Sequence, residues 1–507
     1  MKTKSTKIKL LIALISAVCI YLLICTGCYF FEKPYYGAPS LNDYNHYFDS
    51  YSKYSQSNSS DLFIRQITSD DVCTADDARL KYVDDTVLVI IEDNYSYSDV
   101  TTLSEEYNFE ITGMIPDVNF YQFTFSNDLS IDQLKAICNN LKENDIIKLA
   151  IPDYFEESPT EINTEIDYVD NSDIYELLEL DYAWEKFSNT TPVNLGLIDF
   201  YVDSTNNYIN IANTEEFSSE SLYGDYYDRD YYGSASHGTH VAGIMSAKPS
   251  SSMRGVLSNA PVYSYNGINV STSYWFANIY DMIVNNNVKA INISMGYNPY
   301  IIMSAALGCE NAIEFTQSEQ EFMSEFLANI IDNGYEFVIC AAAGNDNNNT
   351  AYRTFGGYFK YGDKKILSKL DIFGIFDSKP EYVDAKYSYF FSSPTIKSVA
   401  DRVIIVGSVS ESGIYSIFSN SGEVDIAAPG ESVYSTVLEN EFEISYGTSM
   451  AAPFVTGAAG MLFSLNPDLT GIEVKEILIN SSTTETHADG FTYPVLNIGN
   501  AVRTILE

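Results

Sequence analysis

The sequence predicts an α/β fold: a doubly wound, mainly parallel sheet preceded by a small ferredoxin-like α+β unit. Three observations carry this. From Ile174 onward, short apolar runs of strand length alternate with helix-length patterns, as in βα units wound onto one sheet. Between residues 78 and 155 the order is strand–helix–strand, twice over. Asp199, His237, Asn345 and Ser449 fall where apolar strand runs end or helical patterns begin, which is where open α/β sheets keep their sites.

Taken in order, the chain begins with a basic stretch (Lys2, Lys4, Lys7, Lys9) and an uncharged apolar run, Leu10 to Cys25. This reads as an export signal over residues 1–28. Cys25-Thr26-Gly27-Cys28 resembles a bacterial lipobox, although Cys25 stands where leucine is usual. By that resemblance Cys28 is the lipidation site, and the protein sits on the outer face of the cell membrane. The alternatives are an ordinary signal peptide and an uncleaved helix, because the run with its flanks approaches the roughly 20 residues a span requires. Residues 29–77, rich in Tyr, Ser, Asn and Asp, read as a disordered tether.

Within 78–155, Thr86–Ile91 and Val118–Phe125 have strand character, and Asn108–Met114 is a weaker strand candidate. Tyr97–Tyr107 and Ser130–Leu141 are helical, and Ile146–Ile151 closes the unit as a strand. Residues 156–173 are acidic and polar, a linker and processing region. In 174–507 the strand candidates are Val193–Asp199, Val262–Gly267, Val288–Ser294, Phe337–Ala342, Val403–Ser408 and Val424–Ala427. The helix candidates are Ile174–Phe187, His237–Ser246, Tyr274–Asn286, Gln317–Asn333, Ser449–Leu465 and Gly471–Asn480.

Acidic residues outnumber basic ones by 69 to 28, a net charge of −41. That excludes nucleic acid as a partner, since binding it requires Lys and Arg to neutralise phosphates. Of the seven cysteines, three lie in the signal region; Cys73, Cys138, Cys309 and Cys340 are far apart, without metal or redox spacing. Cys340, inside an apolar run, is expected to be a buried thiol.

The chemistry concentrates in four motifs. Gly447-Thr448-Ser449-Met450-Ala451-Ala452-Pro453 presents a serine on a sharp turn ahead of an Ala- and Gly-rich helix. That setting suits a nucleophile, with the helix N-terminus favouring developing negative charge. Ser236-His237-Gly238-Thr239-His240 supplies a base that titrates near neutrality. Asp199 ends an apolar run, and Ala341-Ala342-Ala343-Gly344-Asn345 offers a side-chain amide. The chain order is Asp, His, Asn, Ser.

With these motifs the region from about Ile174 to the C-terminus resembles the subtilisin-like serine proteases. The resemblance implies a serine endopeptidase acting on polypeptides, with no organic cofactor required. Calcium, common in the family, is possible but has no assigned residues. Ser449 would be the nucleophile and His237 its base. Asp199 would hold the imidazole, and Asn345 would donate to the oxyanion. Phe200-Tyr201 replace the family's Ser/Thr-Gly after this aspartate, which leaves Asp203 as the alternative. His240, three residues past His237, reads as structural; an i, i+3 histidine pair also fits a metal, but no further ligand is spaced nearby. Asn292-Ile293-Ser294-Met295-Gly296 resembles the segment that pairs with extended substrate, so Ser294, Met295, Gly296, Ala343 and Gly344 are substrate-binding candidates. The segments 297–333 and 346–402 are longer than in compact family members. The 78–155 unit resembles the propeptide of subtilisin-like and fervidolysin-like proteases, which assists folding and inhibits with its tail. The alternative to an enzyme is a catalytically silent binding protein on this fold at the cell surface.

Overall fold

The computed structural model describes residues 62–65, 67–68, 71–75, 80–156, 170–213, 229–250, 253–267, 270–296, 310–345, 394–421, 424–487 and 490–507. The export signal with Cys28, the tether to residue 61, linker residues 157–169 and the insertion segments 297–309 and 346–393 lie outside the described residues.

The strands form two large sheets and a hairpin. The first sheet has six strands: β1 (Val72–Thr74), β2 (Lys81–Ile91), β3 (Phe109–Ile115), β4 (Phe120–Phe125), β5 (Ile147–Glu156) and, at its edge beside β5, the short segment Val270–Ser271 from later in the chain. Helices α1 (Tyr97–Tyr107) and α2 (Ile131–Leu141) connect them. The spatial order β3-β4-β2-β5, antiparallel throughout, is that of a ferredoxin-like unit. Helix α2 starts where Ser130 and Gln133 cap each other: Ser130 N–H donates to Gln133 Oε1 at 2.9 Å. Its stripe Ile131, Leu134, Cys138 and Leu141 is buried.

The unit begins earlier than the sequence suggests, which corrects the C-terminal end of the expected tether. Leu62, Ile64, Ile67 and Val72 are buried, β1 pairs with β2, and Phe63 bridges Met114. Arg65 pairs with Asp71 and, at 2.5 Å, with Asp85. The apolar residues here are too few and too short in span to register as a periodic element against a polar background.

The second sheet follows. Helices α3 (Ser172–Leu177) and α4 (Leu180–Phe187) replace the single helix expected from Ile174 to Phe187. Glu179 breaks it, in the left-handed region at φ 52°, because Asn497 and Arg503 of the C-terminal helix hold its carboxylate. Then come β6 (Asn194–Asp199), β7 (Asn210–Ile211), α5 (Arg229–Ser246), β8 (Pro261–Asn266), β9 (Val270–Ser271), α6 (Thr272–Tyr280) and β10 (Val288–Ile293). A wide π turn, Asp281–Asn285, finishes α6 where a continuous helix was expected. Next are α7 (Glu310–Asp332), β11 (Val338–Ala342), α8 (Lys397–Ala400), β12 (Val403–Val409), β13 (Ile426–Pro429), β14 (Val433–Thr436) and β15 (Phe442–Ser445). Last are α9 (Thr448–Leu465), α10 (Gly471–Asn480), β16 (Thr483–Thr486), β17 (Thr492–Val495) and α11 (Ile498–Leu506).

The large sheet runs β16-β17-β13-β12-β11-β10-β6-β8-β7, parallel except for β16. From β6 the chain winds outward to β8, then returns across β6 to β10, so the topology reverses at β6 and its C-terminal end opens a crevice. Helix α9 runs behind β10, β11, β12 and β13, with Thr448 through Ser464 buried. Small residues let it approach: a Cβ on Gly460 would meet Leu195 at 2.6 Å.

All described residues belong to one compact unit, and the first sheet packs on α6 and α7. Phe120 inserts among Phe276, Phe322 and Phe326, with ring centroids near 6 Å. Asp153 on β5 accepts from the Ser273 N–H and hydroxyl in the first turn of α6, so one domain caps a helix of the other. Phe120→Ala should remove the centre of this junction and cost about 3–5 kcal/mol in the full-length chain. Denaturant unfolding of a non-autolysing variant measures it; a loss below about 1 kcal/mol would mean the junction carries little of the stability.

Candidate active site

Strand β6 delivers Asp199, fully buried, to the crevice at the topological switch. Its Oδ1 accepts the Phe200 N–H at 2.7 Å and lies 2.5 Å from His237 Nδ1. Burial pushes the carboxyl up, opposed by the charge of and hydrogen bond from His237. Among the described residues Oδ2 has no donor. The Phe200 ring that follows stands edge-on to the His237 imidazole, with centroids 5.2 Å apart. The alternative, Asp203, is engaged elsewhere, accepting from Thr205 and from the Glu439 N–H.

His237 lies inside the 18-residue α5, not at the start of a helix as its motif suggested. The helix is anchored by close approach: a Cβ on Gly238 would fall 2.5 Å from the Tyr201 carbonyl oxygen. His240, on the same helix, turns Nε2 to the Val433 and Glu443 carbonyls at 3.1 Å each, tying α5 to the β14–β15 hairpin. Burial, with the nearby charge of His237, depresses it to about 3. Among the described residues no cluster of three or more His, Cys, Asp or Glu is grouped to hold a metal ion.

Ser449 stands in the first turn of α9, after Gly447 at φ +149°. The turn is held by the Gly447 N–H donating to Gly430 O at 2.8 Å. The Ser449 hydroxyl donates to the Ser294 carbonyl at 3.1 Å, and the Ser294 hydroxyl donates to the Ser449 carbonyl at 2.8 Å. A hydroxyl has one hydrogen, so while it is donated to the Ser294 carbonyl it is not donated to a base.

Asn345 is exposed at the end of β11. Its Oδ1 accepts from Thr448 N–H (2.8 Å) and hydroxyl (3.0 Å), which turns the amide NH2 the other way. Ala343 and Gly344 beside it are fixed by Asn420, whose side chain donates to Ala343 O and whose N–H donates to Gly344 O. Gly344 (φ +95°) makes the bend. Ser294 and Met295 are buried at the end of β10 and Gly296 is half-buried, so these candidates flank the crevice on two adjacent strands. Ser294 accepts from the buried Asn292 side chain, a link sequence reasoning missed because nothing in a strand pattern marks a polar network.

One further feature bears on the crevice. The edge strand of the first sheet is β9, which pairs antiparallel with β5, Phe155 opposite Ser271 and Glu156 opposite Val270. The C-terminal region thus contributes a short strand to the edge of the N-terminal sheet.

The sequence model of the Subtilase family matches residues 162–494. Subtilisin DY of Bacillus licheniformis is 28% identical over 308 residues, 59% of this chain and 86% of that protein. Subtilisin E of Bacillus subtilis is 27% identical over 300 residues, and there the match spans only 60% of the relative's length. A thermophilic serine proteinase of Bacillus sp. strain AK1 is 24% identical over 408 residues, 76% of this chain and 80% of that one. Among solved structures, fervidolysin from Fervidobacterium pennivorans superposes with a TM-score of 0.54 at 20% identity, covering 88% of this chain and 65% of its own. That likeness is one of fold.

The His240 environment sets a pH dependence. Its folded value, about 3, is below the ordinary 6.5, so the unfolded chain binds the proton more readily. The stability it contributes is therefore present above pH 6.5 and is lost as pH falls from 6.5 toward 3, by at most about 1.4 kcal/mol per unit. Urea unfolding at several pH values should show the lead of the parent over His240→Gln narrowing with acid. A constant lead would contradict the assignment.

Proposed function

The chain belongs to the Subtilase family, and on that premise we propose that it is an exported serine endopeptidase using Asp199, His237 and Ser449, with Asn345 in the oxyanion hole. The observation that carries this is the buried Asp199–His237 pair at the switch point, facing the crevice onto which the first turn of α9 and Asn345 also open.

In this reading His237 takes the Ser449 proton at Nε2 as the oxygen attacks the peptide carbonyl. Asp199 keeps the Nδ1–H in place and stabilises the imidazolium. The oxyanion receives the Asn345 NH2 and the Ser449 N–H, one of the first-turn donors an α-helix leaves unpaired. His237 then protonates the leaving amine, and water hydrolyses the acyl-enzyme. Each group in this sequence is a side chain or backbone group of the chain itself, so no organic cofactor is invoked. Substrate would lie along the Ser294–Gly296 and Ala343–Gly344 edges as an added strand.

We also propose that the N-terminal unit is a propeptide and an intramolecular inhibitor. Support comes from the β5–β9 pairing, which joins the last strand of the N-terminal unit to a segment of the C-terminal one immediately before the linker. Processing would fall between 156 and 173. Anchorage by lipid at Cys28 on the outer membrane face rests on the lipobox resemblance alone.

Ser449→Ala should abolish peptide hydrolysis and autoprocessing while the protein stays folded. Asn345→Ala should lower kcat by about 10²–10³, a size carried over from the loss of this donor in subtilisin itself. Hydrolysis assays on purified protein decide both; near-normal turnover in either variant removes the assigned role. Cys28→Ser should release the precursor from the membrane fraction, since a bacterial lipoprotein is held by its acyl chains. Unchanged retention would favour an uncleaved N-terminal helix.

A further inference from the structure

Helix α9 contains Pro453, and proline has no N–H. In an α-helix the N–H of residue 453 is the donor to the carbonyl of residue 449. The Ser449 carbonyl therefore lacks its ordinary partner, and the Ser294 hydroxyl from β10 supplies one at 2.8 Å. That hydroxyl is itself placed: the Asn292 side-chain NH2 donates to Ser294 Oγ at 2.8 Å, and Asn292 Oδ1 accepts from the Thr456 hydroxyl at 3.1 Å. Thr456 lies two turns along α9 from Ser449, and Asn292, Ser294 and Thr456 are all buried.

We propose that Thr456 and Asn292 are positioning residues for the nucleophile, acting through Ser294. This rests on reading Ser449 as that nucleophile. Every donor in the chain points the same way: Thr456 to Asn292, Asn292 to Ser294, Ser294 to the Ser449 carbonyl. Such an aligned series polarises its own members. It also fixes the Asn292 amide. With O and N exchanged, Asn292 Oδ1 would face Ser294 and draw its hydroxyl hydrogen away from Ser449. The Thr456 hydroxyl is what selects the working orientation, because it offers Oδ1 a donor.

Competing partners of Thr456 define how far the effect reaches. Its hydroxyl is also 3.1 Å from the Ala452 carbonyl. The hydroxyl hydrogen is shared between Asn292 and Ala452, so its loss weakens the selection of one amide orientation without emptying the site. The expected effect is that of about one hydrogen bond on the reacting geometry, about tenfold in kcat. Substrate contacts are untouched, so KM should stay within about twofold.

The test compares Thr456→Val, which keeps the shape and removes the hydroxyl, with Thr456→Ser, which keeps the hydroxyl. Turnover of a quenched fluorescent peptide is measured for both, with the parent and Ser449→Ala alongside. Thr456→Ala, smaller and helix-favouring, replaces the valine variant if that one does not fold. The proposal expects kcat down about tenfold without the hydroxyl, KM nearly unchanged, and restoration to within about twofold by serine. Parental kcat without the hydroxyl would overturn it, as would a serine variant that falls equally, which would make the role one of packing. If the parent shows no turnover that Ser449→Ala removes, the assignment of Ser449 falls and the positioning role with it, an outcome distinct from the other two.

Discussion

Helix α9 has to run buried beneath four parallel strands, and much of the molecule follows from that requirement. A helix enclosed on all sides must be apolar and narrow, and here Ala451, Ala452, Gly457, Ala458, Ala459 and Gly460 meet both demands. By length and apolarity it would pass for a membrane span, yet nearly all of it is inside the fold. Burial of the helix body places its first turn at the one end of the sheet that is open. The nucleophile candidate is therefore mounted on a helix buried along almost its whole length, with the Gly447–Gly430 hydrogen bond holding the bend that delivers it.

Close packing also explains how a costly group is kept. Asp199 is fully buried, and one oxygen has no donor among the described residues. Burying a carboxylate so incompletely paired is unfavourable by several kcal/mol unless a specific cation or donor compensates. His237 supplies that compensation through Nδ1, and the pair lies on two elements, β6 and α5, locked together at Gly238. Between the domains a second buried carboxyl, Asp153, is pushed up to about 6 by burial, against donors from Ser273 and Gln122. Docking of the N-terminal unit thus combines an aromatic core around Phe120 with a buried acid that caps a helix of its neighbour.

Much of this was legible in the sequence. The alternation from Ile174 onward gave the parallel strands and their order of appearance, because continuous apolar runs of four to seven residues have few other uses. Tyr97–Tyr107 and Gly471–Asn480 coincide with the expected helices to the residue, since capping residues mark their starts. What escaped was set by tertiary contact. Glu179 leaves the helical region because a helix more than 300 residues away holds its side chain. The short strands β1, β9, β14 and β15 carry too little pattern to be seen alone. In the site, the four motif positions were readable as motifs. The Asn292–Ser294–Ser449 network was not, because its members are far apart in sequence and chemically ordinary. The structure also moves His237 from the start of a helix to its interior.

The most direct test of the account is covalent labelling of the purified protein, freed of its N-terminal unit, with a fluorophosphonate followed by peptide mapping. A serine acts on such a reagent only when a base activates it and donors stabilise the adduct. The account predicts one label, on Ser449, that disappears on replacing His237. A label on another residue, or hydrolytic activity that persists with Ser449 unlabelled, would contradict it.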